Sequence, residues 1–147
     1  MIITQADLST TIYAEIITEI TRADTTIVPE AIILAQDEVK AFLNRYDLLK
    51  MFGDDTVNPV VPATFTSPML TNLVKDITIY HVIRLGNPNI SYEHVRVAYE
   101  DAMATLKSIQ KMQQSPFGWP YLDTTDLELP DGDTFFAKST PPRNSEF

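Results

Sequence analysis

The stretch SYEHVRVAYEDAMATLKSIQKM, residues 91–112, decides the fold class. Ser91 is a helix start: its hydroxyl can accept one of the first backbone N–H groups, which have no partner within the helix. Val95, Ala98, Ala102, Leu106 and Ile109 then recur at three- and four-residue steps, the spacing that stacks side chains on one helical face. Tyr99 and Met103 broaden that face. Glu93 near the start and Lys107 and Lys111 near the end complement the helix dipole. An apolar stripe this long needs other apolar surface to cover it, so the rest of the chain must supply partner faces.

Two further segments supply them. Ser67-Pro68 starts a helix over residues 68–85, with Leu70, Leu73, Ile77, Tyr80 and Ile83 on a continuous face bordered by Val74 and His81. Gly86-Asn87-Pro88 stops it. Pro29 and Glu30 open a helix over residues 29–46, with Ile32, Ala35, Val39, Phe42 and Tyr46 in register and Leu34 and Leu43 widening the stripe. Gly53 and Asp54-Asp55 mark a stop, and the stretch from Thr56 to Thr66, with Pro59 and Pro62, reads as an extended loop. At the N-terminus Thr4 caps a turn over Gln5–Leu8. Ile12, Ile16, Ile17 and Ile20 give a short helix over residues 10–21, ended by Asp24-Thr25-Thr26. The expected fold is all-α: a compact bundle of three long helices plus short N-terminal helices.

The chain changes character near Ser115. Residues 115–147 hold five of the ten prolines, the only tryptophan and four of the seven phenylalanines, with six acids against two bases. Prolines at this density forbid a continuous helix. Phe117, Trp119, Tyr121 and Leu122 are too apolar for an idle linker, and Thr134–Ala137 reads as a short strand after the Asp131-Gly132-Asp133 turn. Two readings stay open: the aromatics pack back on the domain, or they form an arm that docks on a neighbour. The expected organisation is a helical domain over 1–114 and an extended aromatic, proline-rich C-terminal arm over 115–147.

Composition narrows the function. With 147 residues the chain can bury roughly two thirds of its unfolded surface, enough for one core. A net charge of -9 argues against a broad duplex-binding surface, which needs clustered Lys and Arg. Cysteine is absent, so there is no disulfide, no Cys-based zinc site and no thiolate nucleophile. No apolar run approaches the roughly 20 residues of a membrane span, and the N-terminus carries no secretory pattern.

Chemical motifs are sparse. Asp131-Gly132-Asp133 lacks the later glutamate of a calcium loop and reads as a turn, as does Asp54-Asp55. His81 reads as a hydrogen-bonded histidine at the edge of a helix face, and His94 as a first-turn surface group. No glycine-rich phosphate loop and no HExxH helix is present. No catalytic residue, cofactor or metal is expected.

The arrangement resembles a known family. Thr4-Gln5-Ala6-Asp7-Leu8, the Ile12–Ile20 helix, Glu38-Val39-Lys40-Ala41-Phe42-Leu43-Asn44-Arg45-Tyr46, the Pro59/Pro62 loop, the Leu70–Leu85 helix, Tyr99-Glu100-Asp101-Ala102 with Leu106, and the ending Pro142–Phe147 are similar to the small neck proteins of Mu-like prophages. Asp47-Leu48-Leu49 stands where many relatives carry a proline-bearing turn. The resemblance implies a structural connector or head-completion adaptor, not an enzyme. It would sit in the host bacterial cytoplasm before assembly and at the virion neck afterwards. The implied partners are portal and neck or tail proteins and further copies of the chain, in rings that often have twelve subunits. The isolated chain can be a monomer, and no sequence-specific nucleic-acid binding and no membrane partner are expected. The candidate assembly contacts are Arg45, Tyr46, Phe65, Arg84, Phe117, Trp119, Tyr121, Phe135, Phe136, Arg143 and Phe147. Two other classes are open: a bacterial helical protein–protein interaction module, and a hydrolase, for which a pocket bringing His81 close to Asp or Glu would speak.

Overall fold

The computed structural model describes residues 2–86, 89 and 92–123. A 3-10 helix over Gln5–Thr10 leads into α1 (Ala14–Thr21), α2 (Ile27–Phe42), a short α3 (Leu48–Phe52), α4 (Pro68–Gly86) and α5 (Glu93–Gln110). The all-α bundle expected from the periodicity is the observed architecture, with α2, α4 and α5 as its three long members.

The long helix α4 is its axis. It packs against α2, α5, α1 and the 3-10 helix. Leu70, Leu73, Val74, Ile77, Thr78, Ile79, His81, Val82 and Ile83 are all buried, and these positions run around the whole helix. Val74 and His81 are therefore part of the core rather than its border. A helix apolar on every side is stable only when covered on every side. The facing stripes are Val28, Ala31, Ile32, Ala35 and Val39 from α2, Val95, Ala102, Leu106 and Ile109 from α5, and Ile17 and Ile20 from α1. Leu34, expected to widen the α2 stripe, is instead exposed at 36 %, as is its neighbour Ile33 at 51 %.

Local chemistry sets the ends. The Asp7 carboxylate accepts from both the N–H and the hydroxyl of Thr4, closing the first turn. Asp24 accepts from the Thr26 N–H and hydroxyl and turns the chain into α2, which starts at Ile27, two residues before Pro29. Pro29 still falls where helical N–H groups have no partner.

The C-terminal end of α2 differs from expectation. The helix stops at Phe42, and Tyr46 lies outside it. Asp47 then starts a new helix, its carboxylate accepting from the Lys50 N–H at 3.0 Å. This short helix, α3, ends at Gly53 with φ 70° and ψ -171°, a region open to glycine alone. A Cβ at Gly53 would lie 2.4 Å from the Val61 carbonyl oxygen, so a side chain is excluded there by both torsion and space. The Thr56–Thr66 stretch is non-helical as expected, pinned by the antiparallel Asp54–Val61 bridge and by Thr64 and Phe65 N–H groups donating to the Lys50 carbonyl. Gly86 closes α4 where a Cβ would meet the Ile20 carbonyl oxygen at 2.8 Å, so its role is close approach of α1 to α4.

Leu106 is fully buried between α5 and its partners. Leu106→Ala should cost about 2–5 kcal/mol in chemical denaturation, the range for a deleted core leucine. A loss below about 0.5 kcal/mol, the size of a surface change, would contradict the packing described.

Candidate functional site

Two polar clusters hang on α4, one towards each end. The first joins the three long helices. Glu38 of α2 receives the Tyr99 hydroxyl of α5 on Oε1 at 2.8 Å, and its Oε2 lies 2.8 Å from His81 Nε2 of α4. His81 is buried, and its Nδ1 has no partner. The Nε2 contact with Glu38 is the ring's one hydrogen bond among the described residues. Tyr80 stacks on Tyr99 with ring centroids 3.9 Å apart. Burial, followed by the bond to Glu38, pushes the Tyr99 phenol up to about 12, against the pull of Arg84.

The second cluster ties the start of the arm to the domain. The Asp47 N–H donates to the Pro120 carbonyl at 2.9 Å, and the Leu122 N–H donates to the Arg45 carbonyl at 3.0 Å. These bonds flank Tyr46 and Tyr121, which form an antiparallel pair not bonded to each other, the kind in which opposed side chains come closest. The two rings stack at 5.0 Å, and Trp119 meets Tyr46 edge-on at 5.5 Å. Trp119 is 4 % exposed and donates its indole N–H to the Ser67 hydroxyl at 3.2 Å. The same hydroxyl accepts from the Leu70 N–H at the start of α4. Burial, then the Tyr121 contact, raises the Tyr46 phenol.

The structure thus brings together Arg45, Tyr46, Trp119 and Tyr121 from the candidate assembly residues. Phe65 is near them in the chain segment leading to Ser67 and is half-buried. Arg84 belongs to the other end: α4 rises about 1.5 Å per residue, which puts it roughly 25 Å from Ser67. Phe135, Phe136, Arg143 and Phe147 lie outside the described residues, as does the expected strand over 134–137. Tyr46 and Trp119 are buried within their own chain. Within residues 115–122, Trp119 packs on the helical domain and Pro120–Leu122 pairs with Arg45–Asp47. Phe117 is fully exposed, and Leu49, Tyr121 and Leu122 stand out at 53 %, 57 % and 49 % around the same junction.

His81 does lie close to a carboxylate, yet this contact sits in helix packing. Asp76 and His94, by contrast, share a small cavity of about 80 Å³ with Thr11, Ile12, Ile79, Val95 and Ala98. Burial raises the Asp76 carboxyl. Ligand pockets start at roughly 300 Å³, so this space suits a water or a methyl group rather than a substrate. Glu38 and Tyr99 carry no sequence sign of their polar roles, because their partners are 43 or more residues away. Among the described residues no group of three or more His, Cys, Asp or Glu could hold a metal ion. No described helix is long and apolar enough to cross a membrane.

The family model of bacteriophage Mu Gp36 matches residues 3–116, from the first buried isoleucine to just before Trp119. The chain belongs to the bacteriophage Mu Gp36 family. The match takes in the six helices among the described residues of this Gp36-family chain, including the Glu38–His81–Tyr99 cluster and the Tyr46 side of the arm junction. No curated protein and no solved structure matches the chain.

Two measurements test these clusters. Trp119→Ala should cost about 3–5 kcal/mol in denaturation, as for other buried aromatics, and truncation after Gln114 should cost at least as much. Unchanged stability on truncation would show that residues 115–122 are not part of the fold. Tyr99 carries the pH test. Below its ordinary value of 10.0 the phenol is protonated in folded and unfolded chains alike; between there and about 12 only the folded chain keeps its proton. Stability therefore falls as pH rises through that window. In ultraviolet titration, Tyr99→Phe should remove a late-ionising phenol and flatten the loss of stability between those values. An unchanged late titration would contradict the assignment.

Proposed function

We propose that this Gp36-family chain is a structural subunit of the phage particle, a head–tail connector or head-completion adaptor that works by assembly rather than catalysis. The observation that carries this reading is the exposure of Tyr121 and Leu122 on a backbone fixed by the Asp47–Pro120 and Arg45–Leu122 bonds, with Leu49 and Phe117 exposed in the adjoining segments. Large apolar side chains held rigidly in water mark surfaces that another protein covers, and ordering costs little when the carrier is already fixed. Family membership supports a phage context for that partner. The proposed partners are portal and neck or tail proteins together with neighbouring copies in a ring. A ring repeats one such contact at every subunit, so a modest interface is multiplied by symmetry. The Glu38–His81–Tyr99 cluster supports the same reading: it holds the three long helices together.

The test separates assembly from folding. In the double variant Phe117→Asp, Leu122→Asp, both changes lie on exposed side chains, so denaturation should shift by no more than about 1 kcal/mol. Complementation of a phage lacking this gene should nevertheless fail, with DNA-filled heads and free tails accumulating unjoined. Full recovery of infectious particles by this variant would overturn the reading.

A further inference from the structure

The small cavity that Asp76 and His94 share is formed where three segments meet: Ile12 after the 3-10 helix, Asp76 and Ile79 on α4, and Val95 and Ala98 on α5. Thr11 and His94 at its rim are exposed, so the hole faces outward. An apolar cavity of about 150 Å³ accepts a benzene ring. At about 80 Å³ this one accepts the tip of a small aliphatic side chain and no ring.

The chain displays such a side chain on the loop after α3. The Asp54 and Val61 backbones exchange hydrogen bonds of 2.7 and 2.9 Å. The Asp54 carboxylate also accepts from the Thr56 N–H at 2.8 Å and from the Thr56 hydroxyl. The loop over 54–61 is thereby closed at its base, and Val57 and Val60 are exposed on it at 42 % and 56 %. Side chains on a fastened loop give up little freedom on docking. Within one molecule this loop and the hole do not meet. Val60 lies against the start of α4 with Leu70 and Thr71, whereas the hole lies further along that helix, at Asp76 and Ile79.

Charge matches the two surfaces as well. Asp54 and Asp55 are the only charged residues between Gly53 and Val74, so the loop is acidic. Beside the hole, Lys75 donates to the Thr10 hydroxyl at 3.0 Å, which sets its ammonium next to Thr11 on the rim. An acidic loop and a basic rim attract each other and fix the orientation in which they meet.

We propose that copies of this chain join head to tail, the closed 54–61 loop of one seating Val60 in the Ile12–Ile79–Val95 hole of the next. Because knob and hole are different patches, each copy can give one and receive one, the heterologous contact from which rings are built. The inference deepens the assembly reading above by naming which surfaces meet between copies. It concerns a contact separate from Phe117 and Leu122.

Disulfide trapping of the purified full chain tests it, since the chain has no cysteine of its own. A disulfide needs Cβ atoms within about 4.5 Å of each other, so it captures even a short-lived contact of the right geometry. Val60→Cys is on an exposed side chain and Ala98→Cys on a half-buried small one. Mixed at high concentration with oxidised glutathione, these two variants should give a heterodimer in several-fold excess over either homodimer. A control mixture of Val60→Cys with Gln110→Cys, exposed elsewhere on α5, should show no such excess. The double variant Val60→Cys, Ala98→Cys should give a ladder of linked subunits. Heterodimer at no more than the control level would overturn the proposal. Predominant linkage of Val60→Cys to itself would overturn it too, by assigning the loop to a two-fold contact. The trapping uses no phage, so its failure strikes this contact alone, whereas recovery of infectious particles by the Phe117, Leu122 variant strikes the proposed function.

Discussion

The contact between His81 and Glu38 is the constraint around which the bundle is arranged. The sequence makes α4 apolar on all sides, so it must lie at the centre. It also places an imidazole on that helix, and a buried polar group without a partner costs on the order of 1–3 kcal/mol. Glu38 answers it from α2 and uses its second oxygen to take the Tyr99 hydroxyl from α5. One carboxylate thus fixes the rotation of three helices about their axes. Sliding any of them by one residue would turn its polar group some 100° away from the other two. Apolar packing brings the helices together with little directional preference; this cluster selects one register.

The opposite end of α4 is fixed by a different device. Ser67 caps the helix and also receives the Trp119 indole, so helix start and arm root share one hydroxyl. The paired tyrosines then hold the backbone from Pro120 to Leu122 against Arg45–Asp47. Phe117 is exposed just ahead of this paired segment, while Arg84 belongs to the end of the molecule where the helix-locking cluster sits.

Much of the fold was legible because it rests on local signals. The period of α5 and the Ser67-Pro68 and Pro29-Glu30 starts act within one or two turns, and the observed helices follow them. The end of α2 was not legible: Tyr46 continues the apolar spacing, and the partner that pulls it out of the helix is Tyr121, 75 residues on. Asp47 as a cap was hidden by the same apolar run. On sequence alone the arm keeps two alternatives, because aromatic composition measures how much surface wants covering but not which surface covers it. Tyr46 and Trp119 illustrate this: the residues most suited to anchor a partner are already anchored at home. His81 was legible as a hydrogen-bonded helix residue, while its partner Glu38, 43 positions earlier and adjacent to the exposed Asp37, carried no sequence signal of its own.

The most direct measurement of the central claim is cryo-electron microscopy of the intact phage particle, with this chain fitted into the density of the head–tail junction. The account predicts a closed ring of this helical subunit between portal and tail, with Phe117 and its apolar neighbours buried against an adjacent protein. A complete junction built from other chains, or a ring in which the Phe117 face looks out to solvent, would contradict it.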